Sequence, residues 1–351
     1  MSAPEQNLKI RDDSCNKKYI KTMKRRDFIQ SAAALAALGA FGSFAHSCGN
    51  ATVSKRELGR TGFKVYPVGY GGIVSRRDGQ ESSDNYVSWA IDHGVNFFDV
   101  APSYGDAEEK LGNSLKAYRK NIFLACKTAR RMRNEAETEF EKSFELLHTD
   151  YFDVYQMHSL STQNDIDQAF GLGGVMEMMV KAKQEGRVRK LGITAHSEEI
   201  ALKAMSMYDF DTVMFPVNWM MNMTNGMGTA LCNDAKKRGM GVVAIKPLTH
   251  RRWLDRAERD SLGYPKSWCK PIEPEHKALG VAAVKYTFKT GADIIVPPGD
   301  FKSFSFAVDN IREILGQPLN SNETALLKNE FELVKDYPFF SETTRSNMIT
   351  V

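Results

Sequence analysis

The chain has 351 residues, of which 42% are hydrophobic and 26% are charged, a composition typical of a folded globular protein with a full core. The formal net charge of +4 comes from the first 47 residues, which hold eight Lys or Arg and four Asp or Glu, whereas the rest of the chain carries 39 residues of each sign. A body without net charge gives no electrostatic basis for nucleic-acid binding, and we exclude that class of partner.

Residues 1–50 are predicted to be a leader that is not part of the fold. The segment KRRDFIQ at 24–30 precedes SAAALAALGAFGSFA, an uncharged run too short for a stable membrane anchor. Arg25 and Arg26 before such a run resemble a twin-arginine export signal, and AHSC at 45–48 resembles a lipoprotein processing site with Cys48 as the lipidated residue. We therefore expect export by the twin-arginine machinery, to the periplasm or to a membrane through a lipid on Cys48. The alternative is an amphipathic or disordered tail.

The cysteines do not form a recognisable site. They stand at 15, 48, 126, 232 and 269, without a Cys-x-x-Cys pair and without a histidine cluster at metal spacing, so we predict no metal site. Cys126 lies in the apolar run IFLACK and is expected to be a buried strand residue. Cys232 and Cys269 remain candidates for a disulfide.

Beyond residue 58, short apolar runs alternate with segments of helical periodicity. Segments such as SDNYVSWAIDHG at 83–94 and EAETEFEKSFELLHTD at 135–150 place apolar residues three and four positions apart, as an amphipathic helix requires. The strand-like runs lie at 65–72, 95–100, 121–127, 151–158, 188–194, 211–218, 241–248 and 292–299.

Eight strands, each followed by a helix, predict an α/β fold of the (β/α)8 TIM-barrel type. We expect a single barrel domain over 51–340, between the leader and a C-terminal tail at 341–351. A doubly wound open sheet is the structural alternative. It would ordinarily carry a G-x-G-x-x-G fingerprint after the first strand, and GYGG at 69–72 does not match that pattern.

Polar residues stand at the ends of three consecutive predicted strands. Asp99 ends the second strand, with Tyr104 in the loop beyond it, Lys127 ends the third and His158 ends the fourth. Each alone is explained by a structural role, as a helix cap, a solvent-exposed lysine or a satisfied histidine. In a barrel, however, these strand ends meet at one mouth, and their joint occurrence predicts a catalytic site.

The four side chains complement each other chemically. A tyrosine with a pKa near about 10 is a poor acid and a poor base at neutral pH. A nearby Lys127 ammonium would lower that pKa, and Asp99 would hold the lysine in place. His158 would orient a carbonyl oxygen that Tyr104 protonates. A hydride from a nicotinamide is the simplest complement to a proton delivered at oxygen.

The same residues lie in motifs of a known family. GVNFFDVAPSYGDAEEKLGNSLK at 94–116 is similar to the aldo-keto reductase segment that carries the catalytic aspartate and tyrosine, and FLACK and YQMHSL follow with the lysine and the histidine. LGRTGFKVYPVGYGG at 58–72 and GRVRKLGITAHS at 186–197 resemble the first and fifth strands of that family. The resemblance spans about 56–315. It implies an oxidoreductase that interconverts a carbonyl (aldehyde, ketone or sugar) and an alcohol, with NADP(H), or alternatively NAD(H), as cofactor and Tyr104 as general acid and base.

The resemblance also implies a set of cofactor-binding residues, and here the match is less complete. Thr194 and Ala195 replace a Ser-Asn pair, Met214 replaces a glutamine, and Ile245 stands where an aromatic residue often stacks on the nicotinamide. Lys302 is the only basic residue of the last loop, so NADP rather than NAD is a family expectation. The implied cofactor residues are Gly71, Gly72, Thr194, Asn218, Lys246, Pro247, Leu248, Gly299, Lys302 and Asn310.

Two alternatives remain open on the sequence. Trp253, in the run THRRWLDRAERD at 249–260, is predicted to be a wall for an organic substrate. His196 also follows a strand end and is an alternative to His158 for the catalytic role, although it lies next to the loop that is expected to meet the cofactor. A second hypothesis is a nicotinamide-binding barrel that serves as a regulatory or binding subunit with little turnover. The weakened amide contacts favour it, whereas the complete set of four polar residues favours catalysis.

Overall fold

The computed structural model describes residues 53–339, and within them eight parallel strands form one sheet with neighbours in chain order. A parallel bridge joins Val68, just before the first strand, to Ile295 in the last, and the Gly69 N–H donates to the Ile295 carbonyl at 2.8 Å. The sheet therefore closes on itself, which confirms the (β/α)8 barrel and excludes the open sheet. The strands are β1 (Tyr70–Gly71), β2 (Phe97–Asp99), β3 (Phe123–Thr128), β4 (Phe152–Leu160), β5 (Val188–Ala195), β6 (Thr212–Pro216), β7 (Gly241–Ile245) and β8 (Ile294–Val296).

Helices follow every strand and cover the outside of the barrel. Strands β4, β6 and β7 are each followed by two, and one further helix ends the described part of the chain. The helices are α1 (Gln80–Asp92), α2 (Ala107–Leu115), α3 (Arg133–Leu147), α4 (Gln163–Phe170), α5 (Val175–Gln184), α6 (Glu198–Met207), α7 (Trp219–Asn225), α8 (Thr229–Lys237), α9 (Arg256–Ser261), α10 (Lys277–Thr290), α11 (Phe301–Gly316) and α12 (Ser321–Val334).

The interior of the barrel changes from apolar to charged along the strands. Phe97 and Ala125 pack inside with Phe63, which comes from an N-terminal hairpin of Arg56–Glu57 with Lys64–Val65. Because strand side chains alternate between faces, the residues two positions further along β2 and β3 also point inward. These are Asp99 and Lys127, so the same alternation that fills the core brings a carboxylate and an ammonium together near the mouth.

The long connection after β7 folds back on itself. It is pinned by an antiparallel pairing of Thr249–Arg251 with Lys270–Pro271. Lys266 fastens it to the loop after β1, because its ammonium donates to the Val74 carbonyl at 2.6 Å and pairs with Asp78. This attachment fixes the residues that follow Lys266 above the strand ends.

All the described residues belong to one structural unit. The predicted leader at 1–50, with Arg25, Arg26 and Cys48, and the predicted tail at 341–351 lie outside the described residues. The three cysteines in the described range, Cys126, Cys232 and Cys269, are buried and free, so the candidate disulfide between the last two does not form. No described helix is long and apolar enough to cross a membrane. Between residues 53 and 339, no cluster of His, Cys, Asp and Glu is arranged to hold a metal ion.

Candidate active site

A cavity of about 330 Å³ opens at the C-terminal ends of the strands, where barrel active sites are found. Asp99, Tyr104 and His158 line it, and Lys127 lies fully buried behind Asp99. The structure thus brings together all four residues that the strand ends predicted.

The charged pair under the cavity is almost completely shielded from water. Lys127 and Asp99 have side chains that are 0% and 3% exposed, and the ammonium contacts both carboxylate oxygens. Gln156 Nε2 also donates to Asp99 Oδ1, at 3.2 Å. Burial alone would lower the pKa of Lys127, but the Asp99 carboxylate and the Tyr104 phenol outweigh it and the net direction is upward. Lys127 is therefore a permanent cation at neutral pH.

Tyr104 is presented to the cavity by a short turn. Residues Pro102–Tyr104 form one turn of 3-10 helix directly after β2, closed by a hydrogen bond from the Tyr104 N–H to the Ala101 carbonyl at 3.0 Å. Lys127 Nζ lies 5.4 Å from the centre of the phenol ring. Burial raises the pKa of Tyr104 more than the Lys127 charge lowers it, so the net shift is opposite to the one expected from the sequence. The phenol is protonated at neutral pH and able to donate.

His158 packs its ring edge-on to Tyr104, with ring centres 5.8 Å apart and planes at 85°. Burial lowers the pKa of His158 well below its usual value, and the Lys127 charge adds to the shift. The imidazole is therefore neutral at pH 7 and offers one N–H donor. A neutral donor next to the phenol is suited to holding a carbonyl oxygen without competing as an acid.

The backbone around His158 is irregular. The pairing of β4 with β5 shifts register between Met157 and Leu160, and Ser159 has a left-handed φ of +57°. The Ser159 N–H donates to Thr194 Oγ1 on β5 at 2.7 Å, which holds the irregular segment. Such bulges and strained residues are concentrated at functional sites, where they set the direction of a side chain. The sequence carries no signal for this feature.

One side of the cavity suits a nicotinamide ring. Gly71, Met214, Ile245 and Val296 form a mostly apolar strip on β1, β6, β7 and β8. A Cβ on Gly71 would lie 3.0 Å from Val296, so glycine keeps this strip flat. Thr194 and Ser159 border the strip and offer oxygen atoms to an amide. The residues present fit a nicotinamide, with Met214 and Ile245 giving apolar contact where the family has amide and aromatic groups.

The predicted cofactor residues divide into two groups. Four of them line the cavity: Gly71, Thr194, Lys246 and Gly299. Gly72 does not line it, and a Cβ there would collide with the Asp99 carbonyl and the Val100 side chain, at 2.9 Å each.

The other predicted cofactor residues are engaged elsewhere in the fold. Pro247 and Leu248 are buried next to β7. Asn218 is also buried and caps α7, accepting the Met221 N–H at 2.9 Å. Lys302 and Asn310 lie on α11; the ammonium of Lys302 stands over the Tyr264 ring at 5.2 Å, and Asn310 donates to the Phe306 carbonyl at 2.8 Å.

Trp253 does not form the predicted substrate wall. It is buried, and its indole N–H donates to the Ser267 carbonyl at 2.9 Å, so it stabilises the long connection from within. Trp268 takes the expected place: it lines the cavity, half-buried, with its ring centre 6.3 Å from that of Tyr104. His196 lines the cavity as well, and the His158 ring packs against Tyr104.

Comparisons with known proteins agree with this geometry. A model of the aldo/keto reductase family matches residues 68–276. L-galactose dehydrogenase from Arabidopsis thaliana is 28% identical over 260 residues, which are 69% of this chain and 77% of that protein. Aldo-keto reductase str7 from Strobilurus tenacellus is 25% identical over 296 residues, which are 75% of this chain and 84% of that protein.

The fold is also found among solved structures. The holo form of aldo-keto reductase AKR11C1 from Bacillus halodurans superposes with a TM-score of 0.60 at 19% identity, covering 79% of this chain and 96% of that one. The family match spans more than half of the sequence, and Asp99, Tyr104, Lys127 and His158 all lie within it. The chain therefore belongs to the aldo/keto reductase family and is an NAD(P)H-dependent oxidoreductase.

Proposed function

We propose that this protein interconverts a small carbonyl compound and the corresponding alcohol, with Tyr104 as general acid and base. One observation carries the proposal: the Tyr104 phenol stands between a buried Lys127–Asp99 pair and the His158 imidazole, all at one cavity. A bound nicotinamide supplies or accepts the hydride. We propose NADP(H) as this cofactor, with NAD(H) as the alternative.

Each residue has a separate task in the reduction. The N–H of neutral His158 holds the carbonyl oxygen of the substrate, and the Tyr104 phenol donates its proton to that oxygen as negative charge develops there. Lys127 stabilises the phenolate that remains. Asp99 fixes the Lys127 ammonium, and Gln156 holds Asp99 by its hydrogen bond of 3.2 Å. In the oxidation of an alcohol the same groups act in reverse, and the phenolate takes the proton.

Tyr104→Phe tests the proposal. The variant removes the proton and keeps the ring that packs on His158, so we expect kcat to fall by about 10²–10⁴ while the Kd of the cofactor stays unchanged. NADPH binding is measured by tryptophan fluorescence, and turnover over a panel of aldehydes, ketones and aldoses. The aldoses are included because a relative is named L-galactose dehydrogenase. Tyr118→Phe, after α2, is the matched control. A Tyr104→Phe protein with kcat near wild type would exclude this role.

We further propose that the protein is exported with its cofactor already bound. The proposal is supported by Arg25 and Arg26 before an uncharged run and by Cys48 in AHSC. Because twin-arginine substrates fold before crossing, a nicotinamide would have to be loaded in the cytoplasm and retained. Fractionation of cells that express wild type and an Arg25→Lys/Arg26→Lys variant tests export, and a Cys48→Ala variant tests lipidation. Protein purified from the periplasm or membrane without nicotinamide, and binding it weakly, would contradict the retention.

A further inference from the structure

The peptide group that joins His158 to Ser159 lies outside the regular ladders of β4. The pairing of β4 with β3 ends at Thr128 and Met157, and its pairing with β5 shifts register between Met157 and Leu160. In a regular parallel strand, backbone hydrogen bonds to the strands on both sides hold each peptide group. At His158 other donors and acceptors have to fix the direction of the peptide group.

Side chains hold this peptide group from both sides. Its N–H, on Ser159, donates to Thr194 Oγ1 on β5 at 2.7 Å. Its carbonyl, on His158, accepts from Arg131 Nη2 at 2.7 Å, and Arg131 belongs to the loop after β3. The elements on either side of β4 thus each contribute one side chain to the peptide group that follows the imidazole.

Arg131 is also fixed through the rest of its guanidinium. Its Nε donates to Asp165 Oδ1 at 2.9 Å, and its Nη1 donates to the Ala129 carbonyl at 3.0 Å. The side chains of Arg131 and Asp165 are only 10% and 21% exposed, so water screens the pair weakly. Hydrogen bonds between ionised groups are stronger than neutral ones, and a planar guanidinium is preorganised to make several of them. Arg131 is therefore a rigid donor for the His158 carbonyl.

Asp165 connects this arrangement to the chain that leaves β4. Its second oxygen, Oδ2, accepts the N–H groups of Ser161 at 2.9 Å and of Thr162 at 2.8 Å, and it closes the capping box of α4. Burial alone would raise the pKa of Asp165, but the Ser161 N–H and the Arg131 charge outweigh it, and the net direction is downward. Asp165 is therefore ionised at neutral pH, and it ties Arg131 to the segment that follows His158.

The loop that carries Arg131 is attached to the start of α5. The Val175 N–H donates to the Arg131 carbonyl at 2.8 Å, and an antiparallel bridge joins Met132 to Gly174. A guanidinium on a backbone held in this way can set the position of the group that it binds.

We propose that Arg131, held by Asp165, is a positioning residue for His158. By fixing the peptide group after the imidazole, it sets the direction in which the ring meets Tyr104, edge-on with ring centres 5.8 Å apart. In the proposed mechanism this ring holds the carbonyl of the substrate, so the inference rests on the proposed function. Arg131 acts through His158 and not on the substrate directly.

Arg131→Lys separates the position of the imidazole from the charge beside it. The Arg131 charge contributes to the lowered pKa of His158, after burial and the charges of Lys127 and His196. Lysine keeps this charge, but a single ammonium does not replace the guanidinium that joins Asp165 to the His158 carbonyl. We expect kcat/KM for carbonyl reduction to fall by about 10- to 100-fold, because a displacement of about 1 Å in a site can cost about 10²-fold. The Kd of NADPH should stay unchanged.

Two further variants accompany this one. Asp165→Asn keeps the shape of the side chain and removes its charge, so kcat/KM should fall in the same direction by a smaller factor. Arg133→Lys is the matched control, two positions along the chain at an exposed pair with Glu177, and should leave kcat/KM unchanged. All values are referred to the concentration of NADPH-binding sites, so that a loss of folded protein does not count.

A double-variant cycle shows whether Arg131 acts through His158. Once the imidazole is removed in His158→Ala, the addition of Arg131→Lys should lower kcat/KM no further. An arginine that only stabilises the fold would lower kcat/KM by the same factor in both backgrounds. A loss that persists undiminished in His158→Ala therefore overturns the inference.

A spectroscopic measurement keeps the inference separate from turnover. The NMR signal of the His158 C2–H, in protein labelled at the histidine rings, is identified by its absence in His158→Ala. We expect its chemical shift to change in Arg131→Lys and not in Arg133→Lys, because the ring moves relative to that of Tyr104.

Each other outcome also decides between the proposals. An unchanged His158 signal, or a kcat/KM of Arg131→Lys near that of the wild type, overturns the inference while the proposed function stands. A loss of kcat/KM that follows weaker NADPH binding overturns it as well, because Arg131 would then serve the cofactor. If the wild type reduces no carbonyl compound, the proposed function fails, and the His158 signal alone decides whether Arg131 positions the ring.

Discussion

Replacing Lys127 with Met should destabilise the protein strongly, because the lysine neutralises a carboxylate that water does not reach. The Asp99 side chain is 3% exposed and retains the Gln156 hydrogen bond once the ammonium is gone. Removing one partner of a pair buried to this degree costs about 3–5 kcal/mol, whereas an exposed pair contributes under about 1 kcal/mol. We expect the free energy of unfolding of Lys127→Met, measured by urea at pH 8, to fall by about 3–5 kcal/mol.

The pH dependence of this loss follows from Asp99. Burial raises the pKa of Asp99, and in the variant the opposing Lys127 charge is absent, so the folded state takes up a proton more readily than the unfolded state as pH falls. The deficit should therefore be smaller at pH 5 than at pH 8. A double variant, Lys127→Met with Asp99→Asn, should recover about 1–3 kcal/mol relative to the single variant. A loss under about 1 kcal/mol, or a double variant whose two losses simply add, would refute this account of the pair.

Two further outcomes follow from the described geometry. Because burial lowers the pKa of His158, the unfolded chain binds a proton on this histidine at a pH where the folded protein does not. The free energy of unfolding should therefore fall as the pH drops below about 6.5. In thermal melts at pH 7 and pH 5, His158→Gln should show a smaller decrease in melting temperature than the wild type. Burial raises the pKa of Asp300 to about 6, so the folded protein loses stability as the pH rises from about 4 to 6. The free energy of unfolding of Asp300→Asn, measured by urea at pH 7, should therefore exceed that of the wild type by about 1–3 kcal/mol.

The sequence was sufficient to predict the barrel and the meeting of four polar residues at its mouth, because both follow from the periodicity of the strands. Phe97 and Asp99 lie two positions apart on β2 and therefore on the same face. The change from an apolar to a charged residue on that face indicates both which face is interior and where the strand ends. The C-terminal ends of barrel strands meet at one mouth, so Asp99, Lys127 and His158 are predicted to lie close together. This prediction does not require the positions of the helices. The parallel strand arrangement follows from the βα alternation, whereas a closed barrel was favoured over an open sheet by the missing G-x-G-x-x-G fingerprint and is established by the bridge from Val68 to Ile295.

The sequence was insufficient to predict which side chains of the long, irregular loop after β7 line the cavity. Trp253 and Trp268 lie in the same loop after β7, and which one faces the cavity is decided by the attachment of Lys266 to Val74 and Asp78. A contact across 192 positions of the chain leaves no local pattern. The bulge at Ser159 was missed for a similar reason, because its hydrogen bond to Thr194 belongs to the neighbouring strand.

The pKa of Tyr104 is set by two opposing effects, the nearby Lys127 charge and burial. The sequence supplies a nearby cation, which favours the phenolate, but the fold adds burial, which favours the phenol and is the larger effect. The free enzyme consequently holds its proton at neutral pH, and this is the state that carbonyl reduction consumes. Oxidation of an alcohol has to begin from the phenolate, which the free site disfavours. In the proposed mechanism the buried Lys127–Asp99 pair would therefore act mainly after proton transfer, by stabilising the charge left on Tyr104, and we expect the protonated phenol to favour reduction at neutral pH.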